Sequence, residues 1–213
     1  KKILFCGGSH MGQCKKNKLL EKKFNNFELD FYITAGPRNR NWSINGGRYK
    51  VDGTIVGGDF RQPNTEKDLS KYDYIVFIGQ WIQISRFWNW QTSQLLSKSI
   101  LKEIFNKDCF INIPGNLYNE PLEIFPKLAP NKVILIPDPL INNGNFGHIN
   151  FDFIDYFYKG ISLCCESRSI KLFMPDKSLL DDDYRFTKKE YKKDGLHCYL
   201  PYWENLFKKF NYF

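Results

Sequence analysis

Residues 3–15 read ILFCGGSHMGQCK, an apolar run that ends in Gly7-Gly8 and is followed by Ser9 and His10. A short apolar run closed by glycines is typical of a buried strand that leaves its sheet through a tight turn. The lysine-rich stretch that follows predicts a helix over residues 11–24. We therefore expect Ser9 at a strand-to-helix turn, on the edge of the sheet where α/β proteins bind their ligands.

Further apolar runs recur along the chain, with helix-compatible stretches between them. The later predicted strands are 28–34, 74–78, 109–113, 132–136 and 170–173, and the later predicted helices are 88–105, 151–165 and 202–210. This alternation predicts an α/β fold with a mostly parallel sheet of about five strands, covered on both faces by helices. We expect residues 1–213 to form a single domain, with a long irregular and functional segment over residues 36–68.

Composition narrows the class of protein. The chain has 213 residues, 42% of them hydrophobic, and a formal net charge of +8. No apolar run is long enough to span a bilayer, and the one near the start is too short for a signal peptide. The charge favours anionic partners, but no nucleic-acid motif accompanies it, so nucleic acid is a disfavoured partner. The six cysteines lack a C-x-x-C motif, which favours reduced thiols and a cytoplasmic location.

The opening stretch departs from several known site patterns. A P-loop requires Lys and then Ser or Thr where this chain has Gln13 and Cys14. A zinc site on Cys6, His10 and Cys14 is disfavoured, since Cys6 belongs to the strand and no fourth ligand is evident. The α/β-hydrolase elbow requires a second glycine, which Met11 replaces. Two interpretations of Ser9 remain: an ordinary helix N-cap, or a nucleophile that faces the ligand crevice.

A second motif, Asp194-Gly195-Leu196-His197, lies just before the last predicted helix. A turn through Gly195 brings the Asp194 carboxylate back onto Nδ1 of His197 and leaves Nε2 free to accept a serine proton. The other two histidines are weaker candidates for a base. His10 is expected to diverge from Ser9 along the helix, so that its replacement is nearly silent, and His148 has no acidic neighbour at a useful spacing.

Together, strand-Gly-Gly-Ser9-His10 and Asp194-x-x-His197 resemble the SGNH (GDSL-like) hydrolase superfamily. The resemblance spans nearly the whole chain and implies a flavodoxin-like three-layer α/β/α fold. It implies that Ser9 is the nucleophile, His197 the general base and Asp194 the group that orients the base.

The resemblance also implies an oxyanion hole, to which the N–H of Ser9 contributes. The family adds a glycine N–H, for which Gly46-Gly47 and Gly57-Gly58 in the irregular segment are both candidates, and we choose Gly58. It further adds an asparagine from a G-x-N pattern, but this chain reads Gly79-Gln80-Trp81. Trp81 cannot replace an asparagine, so we expect Gln80 to act through its side-chain amide or Gly79 through its backbone.

Aromatic and basic residues suggest the substrate. Trp81 and Trp88 can stack on a sugar ring or pack in the core, while Arg48 and Arg61 can hold a carboxylate or the phosphates of an acyl-CoA donor. The resemblance implies an O-acetyltransferase or O-acyl esterase that acts on an O-acylated carbohydrate, such as a bacterial surface polysaccharide, with no metal and no required cofactor. The alternative is a non-catalytic glycan-binding or scaffolding module with an incomplete oxyanion hole.

Overall fold

The computed structural model describes residues 1–33, 48–49, 54–56, 66–79, 96–108, 120–140, 151–183, 185–194 and 197–213. Its strands are β1 (Lys2–Gly7), β2 (Glu28–Ile33), β3 (Arg48–Tyr49), β4 (Thr54–Val56), β5 (Glu66–Asp68), β6 (Tyr74–Ile78), β7 (Val133–Ile136) and β8 (Lys171–Leu172). Its α-helices are α1 (Ser9–Lys16), α2 (Leu19–Lys23), α3 (Lys98–Ile104), α4 (Phe125–Leu128), α5 (Phe151–Glu166) and α6 (Leu200–Lys208). Short 3-10 helices cover Leu69–Lys71, Lys177–Leu179 and Lys189–Tyr191, and a π-helix covers Glu120–Ile124.

The main sheet has five parallel strands in the order β2-β1-β6-β7-β8. The prediction of a mostly parallel α/β sheet of about five strands is therefore confirmed. The chain moves outward from β1 to β2 and then returns to the other side of β1 with β6, so the strand order reverses there. At such a reversal the crevice beyond the carboxyl ends of the strands is open to a ligand.

The core lies on both faces of this sheet, because the central strands alternate their buried side chains. Leu4 and Cys6 of β1 face the layer that contains α3, α4 and α5. Ile3 and Phe5 face the layer that contains α1, α2 and α6. The result is the three-layer α/β/α architecture that both-face burial of a parallel sheet requires.

Three predictions about local structure need correction. The predicted helix over 11–24 is two helices, because Lys18 adopts a left-handed conformation with φ of 54°. Asn17 reinforces the break by donating from Nδ2 to the carbonyl oxygen of Gln13 at 2.8 Å. The segment 36–68 is not wholly irregular, since β3, β4 and β5 pair as an antiparallel sheet. The helix predicted over 88–105 is seen only from Lys98, after an N-cap at Ser97.

The remaining predicted elements agree closely with those of the structure or fall outside it. The predicted strand over 109–113 and residues 88–95 lie outside the described residues. Among the helices of the described ranges, none is long and apolar enough to cross a membrane.

The end of β1 packs unusually closely against its neighbours. A Cβ on Gly7 would lie 2.5 Å from the carbonyl oxygen of Ile78 and 2.5 Å from Cβ of Met11. The first atom belongs to the backbone of β6 and the second to the root of a buried side chain, so neither moves at low cost. Gly7 therefore allows β1, β6 and α1 to meet at the point where the chain turns toward Ser9.

We predict that Gly7→Ala lowers the free energy of unfolding by about 1–3 kcal/mol, the usual cost of overpacking a core. Gly12→Ala is the matched control in the adjacent helix, because a Cβ there meets only Cγ2 of Ile33 at 3.8 Å. The control should stabilise the protein by about 0.5–1 kcal/mol through helix propensity. Urea unfolding of both variants measures the difference, and equal stabilities would contradict the packing argument.

Candidate active site

Ser9 is the first residue of α1 and follows Gly8, which occupies the N-cap position without any side-chain cap hydrogen bond. The Ser9 side chain is exposed, and its Oγ lies 2.9 Å from Nε2 of His197, a residue 188 positions later in the chain. The interpretation of Ser9 as an ordinary N-cap is wrong, because Gly8 occupies that position. Because Ser9 begins a helix, its N–H is among those that the helix leaves without an internal acceptor.

His197 is held by Asp194 through its ring and through its backbone. Nδ1 of His197 lies 3.0 Å from Oδ1 and 2.9 Å from Oδ2 of Asp194. The backbone N–H of His197 also donates to Oδ1 of Asp194 at 2.7 Å. The turn is closed by the N–H of Lys193, which donates to the carbonyl oxygen of His197 at 2.9 Å. The carboxylate therefore fixes both the tautomer and the orientation of the ring.

The three side chains are brought together at a solvent-accessible edge. The side chain of His197 is 31% exposed and that of Asp194 is 50% exposed. With Nδ1–H directed at the carboxylate, Nε2 is the basic nitrogen and faces the serine hydroxyl. An imidazole so placed can accept a proton from Ser9 while the hydroxyl oxygen attacks an electrophile. Gly195 and Leu196, which complete the turn in sequence, lie outside the described residues.

The side chain of His10 is buried beside His197, a position that the sequence did not predict. Its side chain turns into the core, where it is 4% exposed, and its ring lies directly against that of His197. The two ring centroids are 5.2 Å apart with an interplanar angle of 58°, and the ring of Trp203 lies at the same distance on His10. A nearly silent replacement of His10 is therefore no longer expected.

Asp138, which the sequence did not single out, lies against His10. Its Oδ1 is 3.1 Å from Nε2 of His10, and its side chain is only 3% exposed. Asp138 follows β7 after one intervening residue, as Ser9 follows β1. The rule that directs attention to polar residues at the carboxyl ends of parallel strands would have found it.

The structure describes only some of the residues that the sequence predicted for the oxyanion hole. Gly79 cannot act through its backbone N–H as predicted, because that group donates to the carbonyl oxygen of Ile136 at 2.9 Å. This bond continues the β6–β7 ladder one residue beyond Ile78. The other predicted donors, Gly58 and Gln80, lie outside the described residues.

The predicted substrate residues Trp81, Trp88 and Arg61 also lie outside the described residues, as does His148. Arg48 begins β3, but the position of its side chain is not described. Cys6 and Cys14, once considered as zinc ligands, lie on opposite faces of the sheet and cannot share an ion. Within the described ranges, no group of three or more His, Cys, Asp or Glu side chains could hold a metal ion.

Solved structures to which the chain is similar include acylhydrolases and lipases. The lipase/acylhydrolase from Enterococcus faecalis has a TM-score of 0.52 and 14% identity, with 98% of this chain and 92% of that chain covered. A putative acylhydrolase from Bacteroides fragilis has a TM-score of 0.49 and 12% identity, with 98% and 83% covered. A GDSL-like lipase from Bacteroides thetaiotaomicron has a TM-score of 0.46 and 14% identity, with 98% and 84% covered. No protein-family model matches the sequence, and no curated protein matches it either.

The chain shares the fold of the lipase/acylhydrolase from Enterococcus faecalis, in agreement with the fold that the resemblance to SGNH (GDSL-like) hydrolases predicted. Ser9 follows the first strand of this fold and His197 precedes the last helix, so the two ends of the chain meet at one edge of the sheet.

Cys198 is the thiol nearest in sequence to His197 and competes with Ser9 as a candidate nucleophile. It is fully buried, and burial raises the pKa of its thiol to about 12. Burial likewise raises the pKa of the Cys164 thiol to about 11, and it raises the pKa values of Cys14 and Cys165. Since the thiolate is the reactive form, these thiols are poor nucleophiles at neutral pH.

We predict that iodoacetamide leaves the five described cysteines unmodified in the folded protein at mildly alkaline pH. These cysteines are Cys6, Cys14, Cys164, Cys165 and Cys198, all of them buried thiols. Peptide mapping by mass spectrometry should find them modified only after unfolding in urea. Early modification of Cys198 would reopen the question of which residue is the nucleophile.

Proposed function

We propose that the protein is a serine esterase or O-acyltransferase in which Ser9, His197 and Asp194 form a catalytic triad. The observation that carries this proposal is the 2.9 Å contact between Oγ of Ser9 and Nε2 of His197. The contact has the length of a hydrogen bond and joins residues from opposite ends of the chain. The lipase/acylhydrolase from Enterococcus faecalis, which shares the fold, supports acyl chemistry as the reaction class.

In the first half of the reaction, Oγ of Ser9 attacks the carbonyl carbon of an ester or thioester, and its proton moves to Nε2 of His197. The imidazolium that forms is stabilised by the Asp194 carboxylate on Nδ1. The tetrahedral intermediate then expels the alcohol or thiol, which takes the proton from Nε2. The products of this half are an acyl-Ser9 ester and the free leaving group.

In the second half, a water molecule or a sugar hydroxyl attacks the acyl-Ser9 carbonyl while Nε2 of His197 accepts its proton. Collapse returns that proton to Oγ of Ser9 and releases an acid or an acylated sugar. The same residues serve both outcomes, so the triad alone does not distinguish an esterase from a transferase.

The negative oxygen of the intermediate requires hydrogen-bond donors. The N–H of Ser9, at the positive end of α1, is one donor in the proposal. The sequence-based candidates for further donors are the N–H of Gly58 and the side-chain amide of Gln80. A missing donor costs about 10²–10³ in rate, so this part of the site sets the level of activity.

For the substrate we propose an O-acylated carbohydrate, with Trp81 and Trp88 as stacking platforms for a sugar ring. This assignment comes from the sequence and from the enzymes of bacterial surface polysaccharides that it resembles. The proposed cytoplasmic location likewise comes from the cysteine pattern, and the five free thiols are compatible with it.

We predict that a fluorophosphonate probe modifies the protein at Ser9 and that Ser9→Ala abolishes both this modification and hydrolysis of p-nitrophenyl acetate. The fold should survive, because the exposed Ser9 side chain contributes little to packing. Ser70→Ala is the matched control: Ser70 is also exposed but precedes β6, at the opposite edge of the sheet. Intact mass measurement checks the modification. Absence of probe on any serine would support the non-catalytic glycan-binding or scaffolding module instead.

A second prediction separates the transferase from the esterase. If acyl-CoA is the donor, the guanidinium groups of Arg48 and Arg61 bind its phosphates. Replacing both by Glu should raise the KM for acyl-CoA and leave hydrolysis of a small neutral ester nearly unchanged. Steady-state kinetics with both substrates make the comparison. Equal losses on both substrates would mean that the arginines do not bind the donor, and absence of CoA binding by calorimetry would favour the esterase.

A further inference from the structure

Buried polar atoms that have no part in the triad lie close to His197. They are Nδ1 of His10, both carboxylate oxygens of Asp138 and Nε1 of Trp203. Within the described part of the chain, none of these atoms has a partner in hydrogen-bond geometry. The pair His10–Asp138 stands out, since its 3.1 Å contact is an ion-pair distance between two side chains that are 4% and 3% exposed.

A buried carboxylate next to a buried imidazole is costly, because both groups lose their hydration. Apolar side chains of similar size at the two positions would often be neutral or stabilising. An under-satisfied buried pair therefore calls for an explanation other than stability. Its position suggests one, because the ring of His10 packs on the ring of His197 at a centroid distance of 5.2 Å.

The two hydrogen bonds of His197 do not by themselves hold its ring rigidly. Asp194 contacts Nδ1 and Ser9 contacts Nε2, but hydrogen bonds tolerate small rotations of the side chain about χ1 and χ2. A ring packed against His197 restricts these rotations. His10 supplies that ring, which itself lies between the Asp138 carboxylate, 3.1 Å from Nε2, and the ring of Trp203.

Gly79 indicates how closely the pair is packed. It has a φ of 60°, and a Cβ at this position would lie 2.5 Å from Oδ1 of Asp138 and 2.7 Å from Cδ2 of His10. The chain therefore leaves β6 with no side chain where the pair lies, because a side chain at residue 79 would collide with both Asp138 and His10.

We propose that His10 and Asp138 are positioning residues that hold the general base His197 in line with Ser9. This inference rests on the proposed function, because it assigns no separate activity to the pair. Asp138 fixes His10, and His10 fixes the face of His197. Loss of either residue lets the base tip away from the serine hydroxyl.

The central test compares single and double apolar replacements of the pair. His10→Leu and Asp138→Leu should each lower kcat for p-nitrophenyl acetate by about 10²-fold, the cost of a small misplacement at a reacting centre. KM should stay within about twofold, because binding of this small ester does not depend on the base. Each single variant also leaves a buried polar partner unpaired and so lowers stability.

The double variant His10→Leu/Asp138→Leu separates positioning from stability. It leaves no unpaired group, so its midpoint of urea unfolding should recover most of what the single variants lose. If the pair positions His197, kcat stays low in the double variant although stability returns. If the pair serves only the fold, kcat returns together with stability, and the inference is overturned.

Two conservative variants and one control complete the design. His10→Gln keeps a planar amide near the position of Nε2, so it should restore much of the kcat that His10→Leu loses. Asp138→Asn keeps the shape but removes the charge, and it should lower kcat by roughly 10-fold with KM unchanged. If the leucine variants fail to fold, Asp138→Asn becomes the deciding variant, and a wild-type kcat in Asp138→Asn would overturn the inference.

Cys14→Ser is the control for loss of stability alone. It is a destabilising change one helical turn further along α1, and it should leave kcat unchanged.

Fluorophosphonate modification of Ser9 distinguishes failure of this inference from failure of the proposed function. In wild type the probe should react, and Asp194→Asn provides a reference for a base that is wrongly oriented. A wild-type protein that does not react at Ser9 removes the proposed function and this inference with it. If the wild type reacts with the probe and the His10 and Asp138 variants react equally fast, only the inference about positioning is overturned.

Discussion

The close approach of Gly7 to β6 determines where the candidate nucleophile lies. Since Gly7 has no side chain, β1 can end against the carbonyl oxygen of Ile78 while Met11 packs on its other side. The chain then has room to turn directly into α1, and the first helical residue is Ser9. A larger residue at this point would separate β1, β6 and α1, and the hydroxyl would move away from the crevice where the strand order reverses.

His197 reaches the same edge through the packing of the last helix. Tyr202 and Trp203 of α6 are buried against the face of the sheet that also buries Met11. This packing holds the segment before α6 over the start of α1, 188 residues away in sequence. The candidate triad therefore depends on one apolar layer, in which α1 and α6 are neighbours, and not only on the hydrogen bonds among its members.

The sequence predicted the features that local patterns control. The apolar runs located the strands of the main sheet, and the Asp194-x-x-His197 spacing anticipated a turn that returns the carboxylate to Nδ1. Other features depend on long-range packing or on a single backbone conformation. The break at Lys18 arises from one left-handed residue in a stretch that otherwise favours a helix. The pairing of His10 with Asp138 joins residues 128 positions apart, from the end of β7 to the start of α1. The position of Asp138 after a strand marks it as a candidate site residue, but no local pattern indicates that His10 is its partner.

Gly79, the glycine that this chain keeps from the G-x-N pattern, is tied both to the sheet and to the buried pair. The N–H of Gly79 extends the β6–β7 ladder, so this backbone group is committed to the sheet. The same residue turns the chain with a φ of 60° and leaves empty the volume that Oδ1 of Asp138 and the His10 ring approach. Any residue with a Cβ would meet both side chains there and would also be strained at this φ. Gly79, at the end of β6, thus leaves space for Asp138 and His10 beside His197. Its own N–H remains hydrogen-bonded within the sheet.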